Sequence, residues 1–268
     1  MSLECAYSFH LPQPMPERPT PDMLRKYTQR GLSMPQNVAT GCLSSTPLTQ
    51  LKRGAKRALA ERDAMLEFID QSLLCFVGFQ INGQVRVIPT CHWRDGDYLY
   101  WHGHSKAANI HGAGQAEQKV CITLASLDAL VMARSAFHHS VNYRSVMVYG
   151  VPEAVTDPAQ KLYHFERFVE KLSPGRWQQL RPVTELEARA TGIMRVRLDE
   201  ASMKARAAGV VDEEDDLGWP VWAGVLPVQQ HWGAAEQDPL QEGLDYTAPA
   251  YPQSDIRLPA CSDHRVRA

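Results

Sequence analysis

Two residues, Asn82-Gly83, constrain the fold of this chain more than any others. They stand between runs of strand-like alternation at residues 73–81 and 84–90. A two-residue connection needs positive φ at both positions, which Asn and Gly accept most readily, so the two runs pair as an antiparallel hairpin. A second turn, Arg94-Asp95-Gly96-Asp97, leads into a third strand at 98–102. Residues 119–126 and 130–134 read as strands about a turn at Leu127-Asp128-Ala129. Residues 141–151 read as a long strand and 192–198 as the last clear one. Strands joined by short connections cannot all hide their edges in a flat sheet, and closure into a barrel is one solution.

Helical spacing appears around this β-rich block. Leu59, Met65, Leu66 and Ile69 recur among Lys, Arg and Glu and predict an amphipathic helix within residues 51–70. A short helix is expected over 105–112. Asp157-Pro158 opens another, with Asp157 as N-cap and Pro158 in the first helical position. It is expected to reach residue 172, where Ser173-Pro174-Gly175 ends it, and a further helix is predicted over 178–190. The chain divides into an N-terminal arm (1–48) rich in Pro, Ser, Thr and Gln and expected to be partly ordered, a central domain (49–232), and a polar C-terminal tail (233–268).

The 268 residues suffice for a core without staples. A net charge of −2 carries no global pull toward nucleic acid or acidic membranes, so neither is expected as a partner. No apolar run approaches a membrane span, and residues 1–18 lack a basic start followed by an apolar stretch. The six cysteines form no Cys-x-x-Cys and read as reduced thiols, which points to the cytoplasm. The chain has no Gly-x-Ser-x-Gly, no Walker loop and no Gly-x-Gly-x-x-Gly, which leaves hydrolase and nucleoside-triphosphate readings without support.

Three segments carry candidate chemistry. In Tyr100-Trp101-His102-Gly103-His104-Ser105-Lys106 a strand runs into a helix start. Unpaired amides, the Ser105 hydroxyl and the Lys106 charge suit a phosphate monoester, although the same residues also serve a plain helix cap. In Ser140-Val141-Asn142-Tyr143-Arg144-Ser145, Asn142 and Arg144 share one strand face, Tyr143 and Ser145 the other. Arg144 suits phosphate or carboxylate, or an acidic partner within the protein. In Trp219-Pro220-Val221-Trp222 two indoles between prolines suit a partner surface, a ring system or core packing. His92, His102, His104, His111, His138 and His139 match no zinc spacing, and no metal ion is expected.

Four segments in order carry a resemblance. Arg86-Val87-Ile88-Pro89-Thr90, Leu99 to Lys106, Asn142-Tyr143-Arg144-Ser145 with the residues to Gly150, and Trp222-Ala223-Gly224-Val225-Leu226-Pro227-Val228 resemble the pyridoxamine 5′-phosphate oxidase-like flavoproteins. Within them the chain is most similar to flavin-nucleotide-binding proteins related to nitroimidazole-resistance (Nim-type) proteins. The resemblance spans roughly residues 50–230. It implies a mainly β fold: a six-stranded antiparallel split β-barrel with peripheral helices, forming a homodimer with non-covalent FMN at its interface. Residues 86–90 would run along the flavin, and His102, His104, Ser105 and Lys106 would hold its phosphate. Ser140, Asn142, Tyr143, Arg144, Ser145 and Trp222 would add contacts. Ser145 falls where the oxidase carries Gln, and the Arg-rich C-terminal strand that grips pyridoxamine phosphate is not evident, so vitamin B6 oxidation is not expected.

The expected activity is oxidoreduction in which NAD(P)H reduces the flavin and a nitroaromatic or quinone-like small molecule accepts the electrons. His102 is the candidate proton donor, with an ordinary pKa suited to neutral pH. Two alternatives stand beside this: a non-catalytic flavin carrier or sensor, and a haem-binding member of the same barrel superfamily, which the histidines suggest.

Overall fold

The computed structural model describes residues 46–50, 58–59, 61–112 and 118–251. Its strands are β1 (Ala58–Leu59), β2 (Leu74–Ile81), β3 (Gln84–Asp95), β4 (Tyr98–His104), β5 (Val120–Met132), β6 (Ser140–Gly150), β7 (Glu153–Ala154), β8 (Thr191–Arg197), β9 (Glu200–Arg206) and β10 (Gly224–Pro227). The helices are α1 (Arg62–Gln71), α2 (Ala108–His111), α3 (Pro158–Leu172) and α4 (Glu185–Ala190). Asn82 and Gly83 both take positive φ, so the β2–β3 hairpin turns as the dipeptide requires. Asp157 accepts the Gln160 amide at 2.8 Å with Pro158 behind it, as its sequence position predicts.

The strands form one antiparallel sheet in the order β1-β9-β6-β5-β2-β3-β4-β8-β7, with β10 added to β5. Only Leu198 and Asp199 separate β8 from β9, yet five strands lie between them along the sheet. Two residues cannot bridge a flat sheet of that width at about 4.8 Å per strand, so the sheet curls until its distant strands meet. Gly150 at the end of β6 shows how closely they meet: a Cβ there would lie 2.6 Å from Val196 of β8. No ladder joins β8 to β6 or β9 among the described residues. The expected six-stranded split β-barrel is therefore corrected to an open, curled antiparallel sheet of ten described strands with peripheral helices.

Inward residues fill the curl. Cys75, Val77 and Phe79 of β2, Ile122 and Leu124 of β5, Val146 and Val148 of β6, and Leu99 and Trp101 of β4 pack with Met65, Phe68 and Ile69 of α1. Each such side chain contributes about 1.5–3 kcal/mol on burial. A second cluster lies outside the curl, where Phe168 of α3 packs with Trp93, Tyr100 and Ile193.

Several sequence boundaries shift. The expected break at Leu127-Asp128-Ala129 is a bulge inside one long β5, where the register slips against β6. The bulge lets the Asp128 carboxylate accept from Ser126 Oγ at 2.7 Å and, in a fork, from Arg144 Nε and Nη2 at 3.0 and 3.1 Å. β3 runs on past Thr90 to Asp95. The helix expected over 178–190 shrinks to a 3-10 turn (Trp177–Gln179) and α4, because Pro182 interrupts it. β9, whose Ala, Ser and Lys favour strand weakly, was not foreseen. Of the C-terminal tail, the described part folds back: Trp232 stacks on Tyr251, and Ser173 Oγ donates to Ala250 O at 2.6 Å. Residues 1–45 of the N-terminal arm, 51–57 of the first predicted helix and 252–268 of the tail lie outside the described residues. No described helix is long and apolar enough to cross a membrane.

Asp128→Ala strips Arg144 of its partner inside the fold while the guanidinium stays largely buried. The expected cost is about 3–5 kcal/mol in urea unfolding. A loss below about 1 kcal/mol would show that the pair does not hold the bulge.

Candidate functional site

The site begins where β3 changes neighbour. Residues 84–91 of β3 pair with β2, whereas His92, Trp93, Arg94 and Asp95 pair with Trp101, Tyr100, Leu99 and Tyr98 of β4. Beyond Trp101, β4 keeps β8 but has no ladder to β3. The two strands part there, leaving one backbone edge of each free of a ladder. Thr90 Oγ1 spans the start of the gap with a long 3.4 Å bond to His102 O. Pro89 is tolerated because β3 has a neighbour on only one side at that point.

The turn after β4 closes the end of this gap. α2 starts at Ala108 rather than at Ser105, so Ser105 is not its N-cap. Instead, the Ser105 amide donates to Ala190 O at 2.8 Å, the Lys106 amide to His104 Nδ1 at 3.2 Å and the Ala107 amide to His104 O at 2.7 Å. The amides expected to meet a phosphate at Ser105 and Lys106 are thus spent on the turn. Ser105 Oγ and the Lys106 ammonium are exposed and have no partner among the described residues. The turn is held from below: Trp101 Nε1 donates to Asn109 O at 3.1 Å, and Ile110 lies on Gly103 and Gly192, where any Cβ on Gly192 would overlap its side chain. The close approach at Gly103 is made by Ile110 of α2.

The other predicted site residues divide by strand face. Val87 and Pro89 point out of the curl and are exposed; Arg86, Ile88 and Thr90 alternate with them, Arg86 exposed and the other two half-buried. Tyr143 and Ser145 lie half-buried on the outer face of β6. Arg144 points inward, is held by Asp128 and lies 4.9 Å over the Phe68 ring, so its guanidinium is already engaged. Asn142 is buried; its Oδ1 accepts from Arg206 Nη1 at 2.6 Å and Ala208 N at 3.1 Å, and its Nδ2 donates to Ala208 O. It anchors the end of β9. Ser140 is half-buried opposite Val131, and Trp222 is exposed beside β10 with its ring over Gly224.

His102 stands apart from Ser105 and Lys106 in its surroundings. It shares an outer face of β3 and β4 with Trp93 and Tyr100, under Phe168 and His164 of α3. Its ring lies 4.4 Å from Phe168, and its buried Nδ1 has no partner among the described residues. Burial lowers its pKa, so at neutral pH it is an uncharged imidazole rather than a charged proton donor. His164, which sequence reasoning missed, lies tilted with its ring 4.1 Å from that of Tyr100 and accepts from Trp93 Nε1 at 3.3 Å through Nδ1. Burial pushes it down to about 4. Its position facing α3's apolar residues, one turn before Phe168, was the available signal. Among the described residues no group of three metal-ligating side chains converges.

Comparison with known proteins agrees with this architecture. A family model described as pyridoxamine 5′-phosphate oxidase matches residues 61–205, more than half of the chain. Among solved structures, the flavocytochrome Anf3 from Azotobacter vinelandii is 35% identical, with 77% of this chain and 95% of that chain covered and a TM-score of 0.73. The FAD and heme binding protein from Mycobacterium smegmatis is 25% identical, with 76% and 95% covered and a TM-score of 0.66. No curated protein matches the chain.

Two outcomes test the site's packing. Gly192→Ala forces Ile110 and the Ser105–Lys106 turn to shift, at about 1–3 kcal/mol in thermal or urea unfolding; an unchanged midpoint would show that α2 yields freely. His164 has a depressed folded-state pKa, so its contribution is fully present above about 6.5 and is lost as pH falls toward about 4. Stability measured across that window should fall in the native protein, and His164→Phe should flatten the fall.

Proposed function

Because this chain belongs to the pyridoxamine 5′-phosphate oxidase family and is a flavin-nucleotide-binding protein of oxidoreductase-like fold, we propose that it is a flavin-dependent oxidoreductase whose cofactor lies along the parting of β3 and β4. The observation that carries this is the gap itself: two backbone edges that, among the described residues, carry no ladder end at a turn whose hydroxyl and ammonium have no partner among those residues. Ser105 and Lys106 suit a phosphate as hydroxyl donor and point charge. The edge of residues 86–90 offers backbone donors and acceptors, and exposed Val87 and Pro89 offer apolar surface to a ring. Arg144 and Asn142 support this reading indirectly, by fixing β5, β6 and β9 behind the site. A bound flavin supplies hydride and electron transfer, with NAD(P)H as reductant and a small nitroaromatic or quinone-like acceptor. His102, uncharged at neutral pH, accepts rather than donates a proton in this reading.

A second copy of the chain is the proposed partner. Leu74, Phe76, Val85, Val87, Leu127, Leu130, Val141 and Met147 are exposed on the outer face of β3, β2, β5 and β6. Exposed apolar side chains gathered on one sheet face favour association. Val87→Arg is expected to shift sedimentation from dimer to monomer; a native chain that already sediments as monomer removes the partner.

Haem is the second reading. The two relatives above are a flavocytochrome and a FAD and heme binding protein. His102 offers a neutral imidazole whose Nδ1 has no partner among the described residues, and it would hold the haem iron in this reading.

The purified protein should show flavin absorbance, alone or after titration. Mass spectrometry of the released nucleotide distinguishes FMN, which the family resemblance implies, from FAD, which the mycobacterial relative binds. Lys106→Ala should weaken flavin binding about ten- to a hundredfold. A chain that takes up no flavin overturns the proposal. A Soret band on haem addition, lost in His102→Ala, supports the second reading, and its absence in the native chain removes it.

A further inference from the structure

A second cleft lies between α1, β3 and the end of α3, away from the Ser105–Lys106 turn. It is half open to solvent, has a volume of about 280 Å³ and is lined by Asp70, Trp93, Arg94, Arg167, Glu170 and Lys171. Most of its charges are already matched. Arg94 grips Asp70 through Nε and Nη2 at 2.8 and 2.5 Å and donates to Gly96 O. Glu170 accepts the Gly175 and Trp177 amides at 2.7 and 2.8 Å. Two cations remain. Arg167 has no hydrogen-bond or ion-pair partner among the described residues. Lys171 lines the same cleft, and its Nζ meets Ile69 O at 3.3 Å and His92 Nε2 at 3.4 Å, with no carboxylate in salt-bridge range among the described residues.

We infer that this cleft is a binding site for a small anionic carbonyl compound, whose carbonyl carbon condenses reversibly with Lys171 while its anion pairs with Arg167. This cleft needs neither flavin nor haem for that chemistry. Carboxylate and phosphate carriers share this chemistry.

Lys171 is suited to the task by its surroundings. Asp70 on α1, Arg94, Cys91 and His92 on β3, and Cys75 on β2 all face it, with Arg167 and Glu170 on its own helix. Burial outweighs the nearby Asp70 and thiols and lowers its pKa to about 8. Buried His92, held near 3, stays neutral and places no competing charge beside it. A useful fraction of the amine is therefore free near neutral pH. The amine lone pair attacks the carbonyl carbon and a C–N bond forms. The amine nitrogen gives up its two protons, the carbonyl oxygen takes up two and leaves as water, and an imine results with no oxidant or reductant consumed. The cleft volume suits a compound of a few heavy atoms.

Reductive trapping on the full chain tests this. Glyoxylate and glycolaldehyde phosphate serve as the carboxylate and phosphate probes, acetaldehyde as the probe without an anion, and cyanoborohydride delivers hydride to the imine. Peptide mass spectrometry should find Lys171 alkylated at least about tenfold faster than exposed Lys106 and Lys119, as its lowered pKa predicts. One or both anionic probes should outpace acetaldehyde there, and the faster identifies the anion. Arg167 is exposed, so Arg167→Ala spares the fold; it should remove the advantage of the anionic probe and leave acetaldehyde labelling unchanged. Lys171 labelled no faster than Lys106 overturns the proposal. So does an Arg167→Ala variant with the native preference for the anionic probe.

Discussion

β3 serves two neighbours, and the rest of the site follows from that division. Its first eight residues lie on β2 and its last four on β4. A strand can bond only one neighbour on each edge, and the curled sheet carries β4 away from β3 beyond Trp101. The edges thus released are polar and must meet water, a ligand or another chain. The Ser105–Lys106 turn stands at the end of this parting because β4 continues for three residues on β8 alone.

Curling also decides which polar side chains remain available. Arg144 and Asn142 sit on the inward face of β6, and an inward charge or amide is costly unless paired. The bulge at Asp128 and the end of β9 supply those pairs. The residues with the richest hydrogen-bonding chemistry in this segment therefore stabilise the fold, and the turn after β4 keeps simpler groups exposed: the Ser105 hydroxyl and the Lys106 ammonium.

On the far side of β3 and β4, α3 creates a different environment. Phe168 and His164 cover Trp93, Tyr100 and His102, and burial keeps both imidazoles uncharged at neutral pH. One further turn along the same helix, Lys171 lines the second cleft and meets His92. Trp93 belongs to both surroundings, stacking in the aromatic cluster and lining the cleft.

Local signals in the sequence were enough for the β2–β3 hairpin, the Asp157-Pro158 helix start and the alternation of β2 and β6, because each depends on neighbours a few residues away. The four ordered segments were enough to indicate the family. Tertiary structure decided the rest. A bulge and a chain break look alike at Leu127-Asp128-Ala129 until Arg144, sixteen residues on, is seen to hold Asp128. Ser105 reads as a helix cap until Ala190 claims its amide. His164 reads as one helix residue among many until Trp93, seventy-one residues earlier in the chain, donates to it. Each of these depends on a partner distant in sequence, and only folding brings such partners within hydrogen-bond reach.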